Sequence, residues 1–515
     1  METLNPQFEN LEDPNSFINH LNGITIPDIP LVHEKILQQL LEQMEPINFK
    51  DFVSKTAQLI REELERCDPD SERAEKLEKS LYEIKIKDKH YIIITVEQIL
   101  DIAKKNRWGL CKNNNFIHLY NGAFWNVLDK EMFQKFLGEA GEKMGVEKFS
   151  ARHYMFREHL FKQFLTSAYL PTPILNQDTV LINLLNGTYE IISNGAKKLR
   201  KFQSSDFLTY QLPFEYDLGA TASIFQNYLD RVLPDKSRQL VLAEYLGYIF
   251  IKNGGKTLKE EKALILYGSG ANGKSVFFEV VNALLGTNNV GNYSLQNLTN
   301  ENGYYRACLA NKLVNYASEM NGRLEASIFK QMVSGEPIEA RLPYGEPFIL
   351  TQYAKLIFNC NELPKEVEHS HAYFRRFLII PFEETIPEEE QDKTLHLKII
   401  ENELSGVFNW VLDGLDRLLQ NKKFSDCKAA QQAVESYKSQ SDSVKQFLDE
   451  YEYISNLDGQ IKIKELYTNY RFFCDSDGFR ALSKPNFIKR LKACNVVVDK
   501  INIGNIARLK QINEK

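Results

Sequence analysis

Apolar and polar positions alternate with different periods along the chain, and each change of period marks a new element. From Leu31 to about Leu81 apolar residues recur at helical spacing: Ile36, Leu40 and Met44, then Leu59, Leu64, Leu77 and Leu81. Charged residues fill the remaining face between Arg61 and Lys79. Such a stripe belongs to helices that pack on a neighbour, a reading preferred here to a partner-binding coiled coil. Residues 1–30 show no period and read as a loose tail. Asn114–Trp125 and Thr179–Ile192 switch to alternation around Asn121-Gly122 and Asn186-Gly187. That dipeptide favours a type I′ turn, so two β-hairpins are expected. Ser223–Phe250 is helical again. Short runs without alternation then follow, at Ala263–Tyr267, Leu309–Ala317, Ala354–Phe358 and Phe377–Phe382, and these read as buried strands.

Composition narrows the class of protein. With 515 residues, 43% of them hydrophobic, the chain can bury several cores, and its length points to about three domains. A net charge of −6 means that any nucleic acid must be held by local patches. No apolar run approaches the roughly twenty residues of a membrane span, and the polar start METLNPQFEN is no signal peptide. The seven cysteines are scattered without a C-x-x-C pair, which indicates reduced thiols in a cytoplasmic protein. His369 and His371 have no further ligands near them in sequence, and no metal is expected there.

The strongest local signal follows the strand at 263–267. Gly268-Ser269-Gly270-Ala271-Asn272-Gly273-Lys274-Ser275 fits G-x-x-x-x-G-K-[ST] and runs straight into a helical pattern. Its glycines let the backbone turn tightly and aim N–H groups inward, while the new helix presents its positive end to phosphate oxygens. Lys274 can reach the β- and γ-phosphates of ATP, and the Ser275 hydroxyl can hold Mg²⁺.

Other candidates follow in order. LANKLVNYASE ends in Glu319, placed to orient an attacking water, to organise Mg²⁺ with Ser275, or to do both; an acid exposed at a strand end is the bland alternative. Two short strands flank Pro343-Tyr344-Gly345 and imply a hairpin with Arg341 and Tyr344 near its tip. A cation beside an aromatic suits nucleic acid, one for phosphate and one for a base; a hairpin that merely packs on the sheet is the alternative. The strand at 354–358 leads to Asn361, whose amide can sense a γ-phosphate. Arg375 and Arg376 stand immediately before the last apolar run. Two adjacent arginines are hard to bury, and an edge facing another subunit's nucleotide would explain them. The cluster Lys197–Lys201 reads as a solvated loop rather than a phosphate contact. From Ser483 to Lys515 eight basic residues outnumber two acidic ones, and FIKRLKA, with Lys489 and Arg490, has helical spacing. A basic helix followed by a hairpin fits a DNA reader or a solvated face.

In this order the elements resemble the superfamily 3 helicases, specifically the poxvirus-type and phage or plasmid primase-helicase C-terminal group. The resemblance implies an α/β fold: an AAA+ P-loop motor with a helical N-terminal region and a C-terminal winged-helix-like domain. On that pattern residues 1–105 form the helical region, 106–220 the α+β domain before the motor, 221–420 the motor and 421–515 the winged-helix-like domain. It further implies a homo-hexameric ring that hydrolyses ATP with Mg²⁺ and unwinds DNA during replication of a phage, plasmid or other mobile element. Lys274 and Ser275 then bind ATP and Mg²⁺, Glu319 is the catalytic acid and Asn361 the sensor. Arg376 matches the arginine finger acting in trans, with Arg375 the alternative. Where relatives carry Asp-Glu, this chain has Ser318-Glu319. Nothing before residue 110 shows the Asp pair and His of a primase site, so a separate primase partner is expected. The competing reading is an origin-binding switch ATPase, or a nucleic-acid remodelling motor, without processive unwinding.

Overall fold

The computed structural model describes residues 33–105, 109–113, 116–168, 179–192, 195–255, 257–318, 320, 324–343, 345–364, 367–501 and 504–512. At its centre the unbroken apolar runs become a parallel sheet. Its strands are β1 (Ala263–Tyr267), β2 (Val290–Gly291), β3 (Val314–Ala317), β4 (Lys355–Cys360) and β5 (Phe377–Pro381). They lie side by side as β5-β1-β4-β3-β2. The pleat divides β1 between two cores. Leu264 and Leu266 face the helices Lys274–Leu285, Lys236–Tyr248 and Leu404–Asn421, whereas Ala263 and Ile265 face Phe329 and Tyr437. Both faces are covered, which is why these strands carry no polar alternation.

Register sets which ends meet. Phe377 pairs with Ala263 and Pro381 with Tyr267, so β5 and β1 start and finish together. Cys360 pairs with Tyr267, and Phe358 with Ala317. The carboxyl ends of β1, β3 and β4 thus share one edge, where open α/β sheets bind ligands.

Two helices clamp the sheet at close range. A Cβ on Gly247 would lie 2.6 Å from the Leu415 side chain, and one on Gly414 would lie 2.3 Å from the Ala243 backbone. The crossing of Lys236–Tyr248 with Leu404–Asn421 therefore depends on both glycines. Beside it the fully buried Glu244 accepts from Arg417 Nε at 2.7 Å and Ser425 N at 2.8 Å, so its charge is paired as a buried carboxylate requires.

The cores divide the chain differently from the sequence pattern. Ile94, Val96 and Ile99 from helix Asp88–Lys105 share one core with Phe133, Leu137 and Phe164, so no boundary falls at residue 105. The antiparallel sheet Val180–Leu184, Gly187–Ile191 and Lys197–Arg200 shares the core that takes Leu264 and Leu266 of β1, so one core runs across residue 220. Helix Lys428–Gln440 buries Tyr437 under the sheet, and a separate C-terminal core begins only at Val444. That last unit comprises helices Ser443–Glu450, Ile463–Ser476 and Lys484–Ala493 with short antiparallel strands.

Both early hairpins form, with other turns than expected. Phe116–Tyr120 and Trp125–Val127 are joined by four residues, because the Asn121 carboxamide oxygen caps the N–H groups of Ala123 and Phe124. In the second, Leu184 pairs with Gly187, which shifts the turn one residue back to Leu185-Asn186. The Asn186 side chain bonds the Tyr216 backbone in both directions at 2.9 Å, and this long-range contact outweighs the local turn preference. The basic cluster at 197–201 is mostly ion-paired: Lys197 to Asp416, Lys198 to Glu190, and Arg200 to Asp206 and Glu190.

Candidate nucleotide site and its flanking basic elements

Gly268 to Gly273 turn the chain from the carboxyl edge of β1 into helix Lys274–Leu285. Gly270 and Gly273 adopt φ of 115° and 87°, and Ala271 is also left-handed at 49°. A Cβ on Gly268 would lie 2.3 Å from both the Asn272 amide and the Phe382 carbonyl, and one on Gly273 would strike Val232 at 2.6 Å. Both motif glycines are therefore required by space. The helix keeps Phe277, Val280, Val281 and Leu284 on its buried stripe, which fixes its first turn over the loop.

Within the loop Lys274 is buried, and its ammonium donates to Gly268 O at 2.6 Å and Asn272 Oδ1 at 3.0 Å. Burial lowers its pKa from the usual lysine value. The Asn272 amide donates in turn to Phe382 O at 3.1 Å, just beyond β5. Tyr228 OH braces Gly273 O at 2.8 Å, and Ile386 N donates to Ala271 O at 2.8 Å. Ser275 is exposed on the first helical turn, and Ser269 is exposed in the loop. The result is a braced loop in which, among the described residues, Lys274 is held on neutral acceptors.

The neighbouring strands bring Asn361 to this edge. Gly268 N donates to Cys360 O at 3.1 Å, and Asn361 follows at once, exposed. β3 ends at Ala317, paired with Phe358 of β4. Glu319 lies outside the described residues.

The two arginines part company. Arg376 is buried, with Nη2 donating to Ser334 Oγ at 2.8 Å and Nε to Lys330 O at 3.2 Å, and it pairs with Glu261 at 3.3 Å. Its guanidinium is consumed inside its own subunit, which disfavours the finger role expected for it. Arg375 is exposed; its guanidinium meets Glu261 at 2.5 Å, and its carbonyl accepts from Lys262 Nζ at 2.6 Å. Both precede β5 and so sit at the amino edge of the sheet, away from the loop at 268–273.

Ile338–Arg341 and Pro347–Leu350 form the expected hairpin, with Arg341 opposite Pro347. Its base is pinned by buried Arg306, which donates to Glu339 O at 2.8 Å, and by Phe348, whose ring meets Phe116 edge-on at 6.2 Å. Arg341 is exposed and donates to Gly345 O at 2.8 Å. Tyr344 lies outside the described residues. In the C-terminal unit Lys489 is exposed on helix Lys484–Ala493, but Arg490 pairs with Asp442 at 2.5 Å and approaches His369 at 3.5 Å. Arg490 therefore joins this unit to the sheet-bearing part, and its geometry gives no support to a role in DNA contact. Sequence reasoning missed Tyr228, Asn272 as a brace and Glu261, none of which carries a local signal.

Residues 96–234 match a family described as D5 N terminal like, and residues 266–376 match a family of unknown function, DUF5906. A putative helicase of Acanthamoeba polyphaga mimivirus, L207/L206, is 25% identical over 225 residues, covering 40% of this chain and 22% of that protein. Putative helicase 184R of Invertebrate iridescent virus 6 is 24% identical over 347 residues, covering 58% and 34%. These matches support a D5-like primase-helicase family. The chain spans 22% and 34% of these relatives' lengths. Among solved structures, the apo C terminal region of NrS-1 aligns over 83% of this chain and all of its own at 15% identity, with a TM-score of 0.42. No helix among the described residues is long and apolar enough to cross a membrane.

Proposed function

We propose that the chain is an ATP-driven motor that unwinds DNA in the replication of a virus or other mobile element, and that it works as a ring. The observation that carries this reading is the placing of β4 between β1 and β3, which sets Asn361 beside the P-loop. A loop that only held nucleotide would need no polar group there. A motor needs one, to sense whether the γ-phosphate is present.

The loop fits a nucleoside triphosphate. Gly268 has no space for a side chain, the backbone N–H groups and helix start face the carboxyl edge, and Lys274 can move from two neutral acceptors to phosphate oxygens. Ser275 and Glu319 would hold Mg²⁺. Bound ATP supplies the anhydride bond whose cleavage drives movement; the chain orients it and neutralises its charge.

Arg375 supports a ring. It stands before β5, and β1, which starts and ends in line with β5, separates it from the P-loop by five residues, roughly 16 Å. An arginine side chain does not span that distance, so Arg375 can serve only a neighbour's nucleotide. The exposed Arg341 at the hairpin and Lys489 in the C-terminal unit, read as winged-helix-like, supply candidate DNA contacts. The decisive test is a forked-duplex unwinding assay with ATP. Unwinding that disappears in Lys274→Ala is expected; DNA binding with hydrolysis but no strand separation would return the reading to a switch or remodelling ATPase.

A further inference from the structure

A second cavity opens at the amino edge of the sheet, away from the P-loop. It has a volume of about 110 Å³ and lies where the start of β4 meets segments 207–210 and 249–253. That is well above the roughly 10–15 Å³ one water needs, and it suits a tetrahedral oxyanion. Lys355, Lys312 and Lys252 line it together with Asn113, Asn311 and Gln352, and among the described residues no Asp or Glu does.

The ammonium groups here rest on neutral acceptors. Lys355 Nζ donates to Asn253 Oδ1 at 2.5 Å and lies 4.3 Å from the Tyr248 ring centroid. Lys312 Nζ donates to Asn288 O. Lys252 also borders the cavity, within reach of the Asp206 charge. Among the described residues no carboxylate pairs with Lys312 or Lys355; part-buried cations held so are costly, and burial lowers the pKa of both. An anion would relieve that cost, and the Asn113 and Asn311 amides would supply further donors to its oxygens, the Gln352 amide being held on the Asn253 backbone.

We propose that this cavity is a phosphate-binding site distinct from the P-loop, in which Lys312 and Lys355 carry the charge recognition. The group could come from a nucleic-acid backbone or from free phosphate, and the two sources part in the test. The full chain carrying Lys274→Ala, which removes the P-loop cation, is titrated with inorganic phosphate by calorimetry and, separately, with a fluorescent oligothymidylate. Phosphate binding should persist and weaken about tenfold when half-buried Lys312→Gln is added, the loss of one charge-assisted contact. Lys355→Met should weaken it likewise, and Lys312→Gln serves if that variant does not fold. Parallel loss of oligonucleotide binding identifies a strand phosphate; loss of inorganic phosphate alone identifies a free one. No phosphate binding by the Lys274→Ala chain, or binding that neither substitution changes, overturns the site.

Discussion

The Arg375 guanidinium lies 2.5 Å from the Glu261 carboxylate, at the end of β1 opposite Lys274. Glu261 thus pairs with the exposed arginine of the two. From the interior the same carboxylate meets Arg376 at 3.3 Å. One residue aligns a surface cation and anchors a buried one.

Opposite phenotypes should follow. Arg375→Ala is expected to lower ATP hydrolysis by about 10³-fold or more while ATP still binds, because an arginine in trans stabilises charge on the transferring phosphoryl group. Its melting temperature should barely move, since an exposed ion pair is worth about 0–1 kcal/mol. Arg376→Ala should instead destabilise the fold by about 1–3 kcal/mol, leaving Ser334 and the Lys330 carbonyl without their donor. Thermal melts beside ATPase assays distinguish the two. Mixing Arg375→Ala with Lys274→Ala protein should restore part of the activity, since a mixed interface pairs an intact loop with an intact finger. Full hydrolysis by Arg375→Ala alone would remove the trans site.

The loop itself makes a second prediction. Lys274→Ala should abolish hydrolysis in a folded chain, because the helix stripe and both motif glycines remain. Asn272→Ala should be milder. It removes one acceptor of Lys274 and the bond to Phe382 O, about 1 kcal/mol of loop stability, and should raise the KM for ATP more than it lowers kcat. Equal losses from both substitutions would mean that Asn272 acts on the nucleotide directly.

What was legible in the chain was whatever has a short period or a fixed spacing. The unbroken apolar runs at 263–267 and 377–381 announce covered strands, and Gly268-to-Ser275 announces its own turn and helix. Arg376 was opaque because its partners Ser334 and Glu261 are 42 and 115 positions away, and only the register of β5 on β1 brings them together. Arg490 was opaque for the same reason: Asp442 lies 48 positions away and makes a basic helical residue an internal tie. Cores that draw on distant segments were equally opaque, as where Ile94 and Phe164 share one.

The hairpin is expected to act on DNA through its tip. Arg341→Ala combined with Tyr344→Ala should impair unwinding and DNA-stimulated ATPase more than basal ATPase, since Arg306 and Phe348 still pin the base. A lost stacking partner alone costs about 1–3 kcal/mol per base. Normal unwinding by the double variant would leave the hairpin a structural element.

The last prediction concerns stability against pH. Burial brings Lys355 down to about 7, whereas an unfolded lysine titrates near 10.4. Between those values the unfolded chain binds the extra proton, so stability rises with pH across that window. Below pH 7 both states are charged and the cost of burying the ammonium is fully present; above about 10.4 both are neutral and it vanishes. Lys252 and Lys312 are lowered by burial, which adds to the same slope. Tyr248 and Tyr353 are pushed upward by burial, so near pH 10 they oppose it, but they are common to the native chain and a Lys355 variant and cancel in the comparison. Lys355→Met keeps most of the volume and removes the charge, an exchange that is often neutral or stabilising for a buried ion. It should therefore melt higher than the native chain at pH 6–7, and the gap should close as pH approaches 10. Phosphate should narrow the gap at pH 7 if it occupies the cavity, because it stabilises only the chain that keeps its ammonium. A difference in melting temperature that is constant from pH 6 to 10 would show that Lys355 is not buried as a charge.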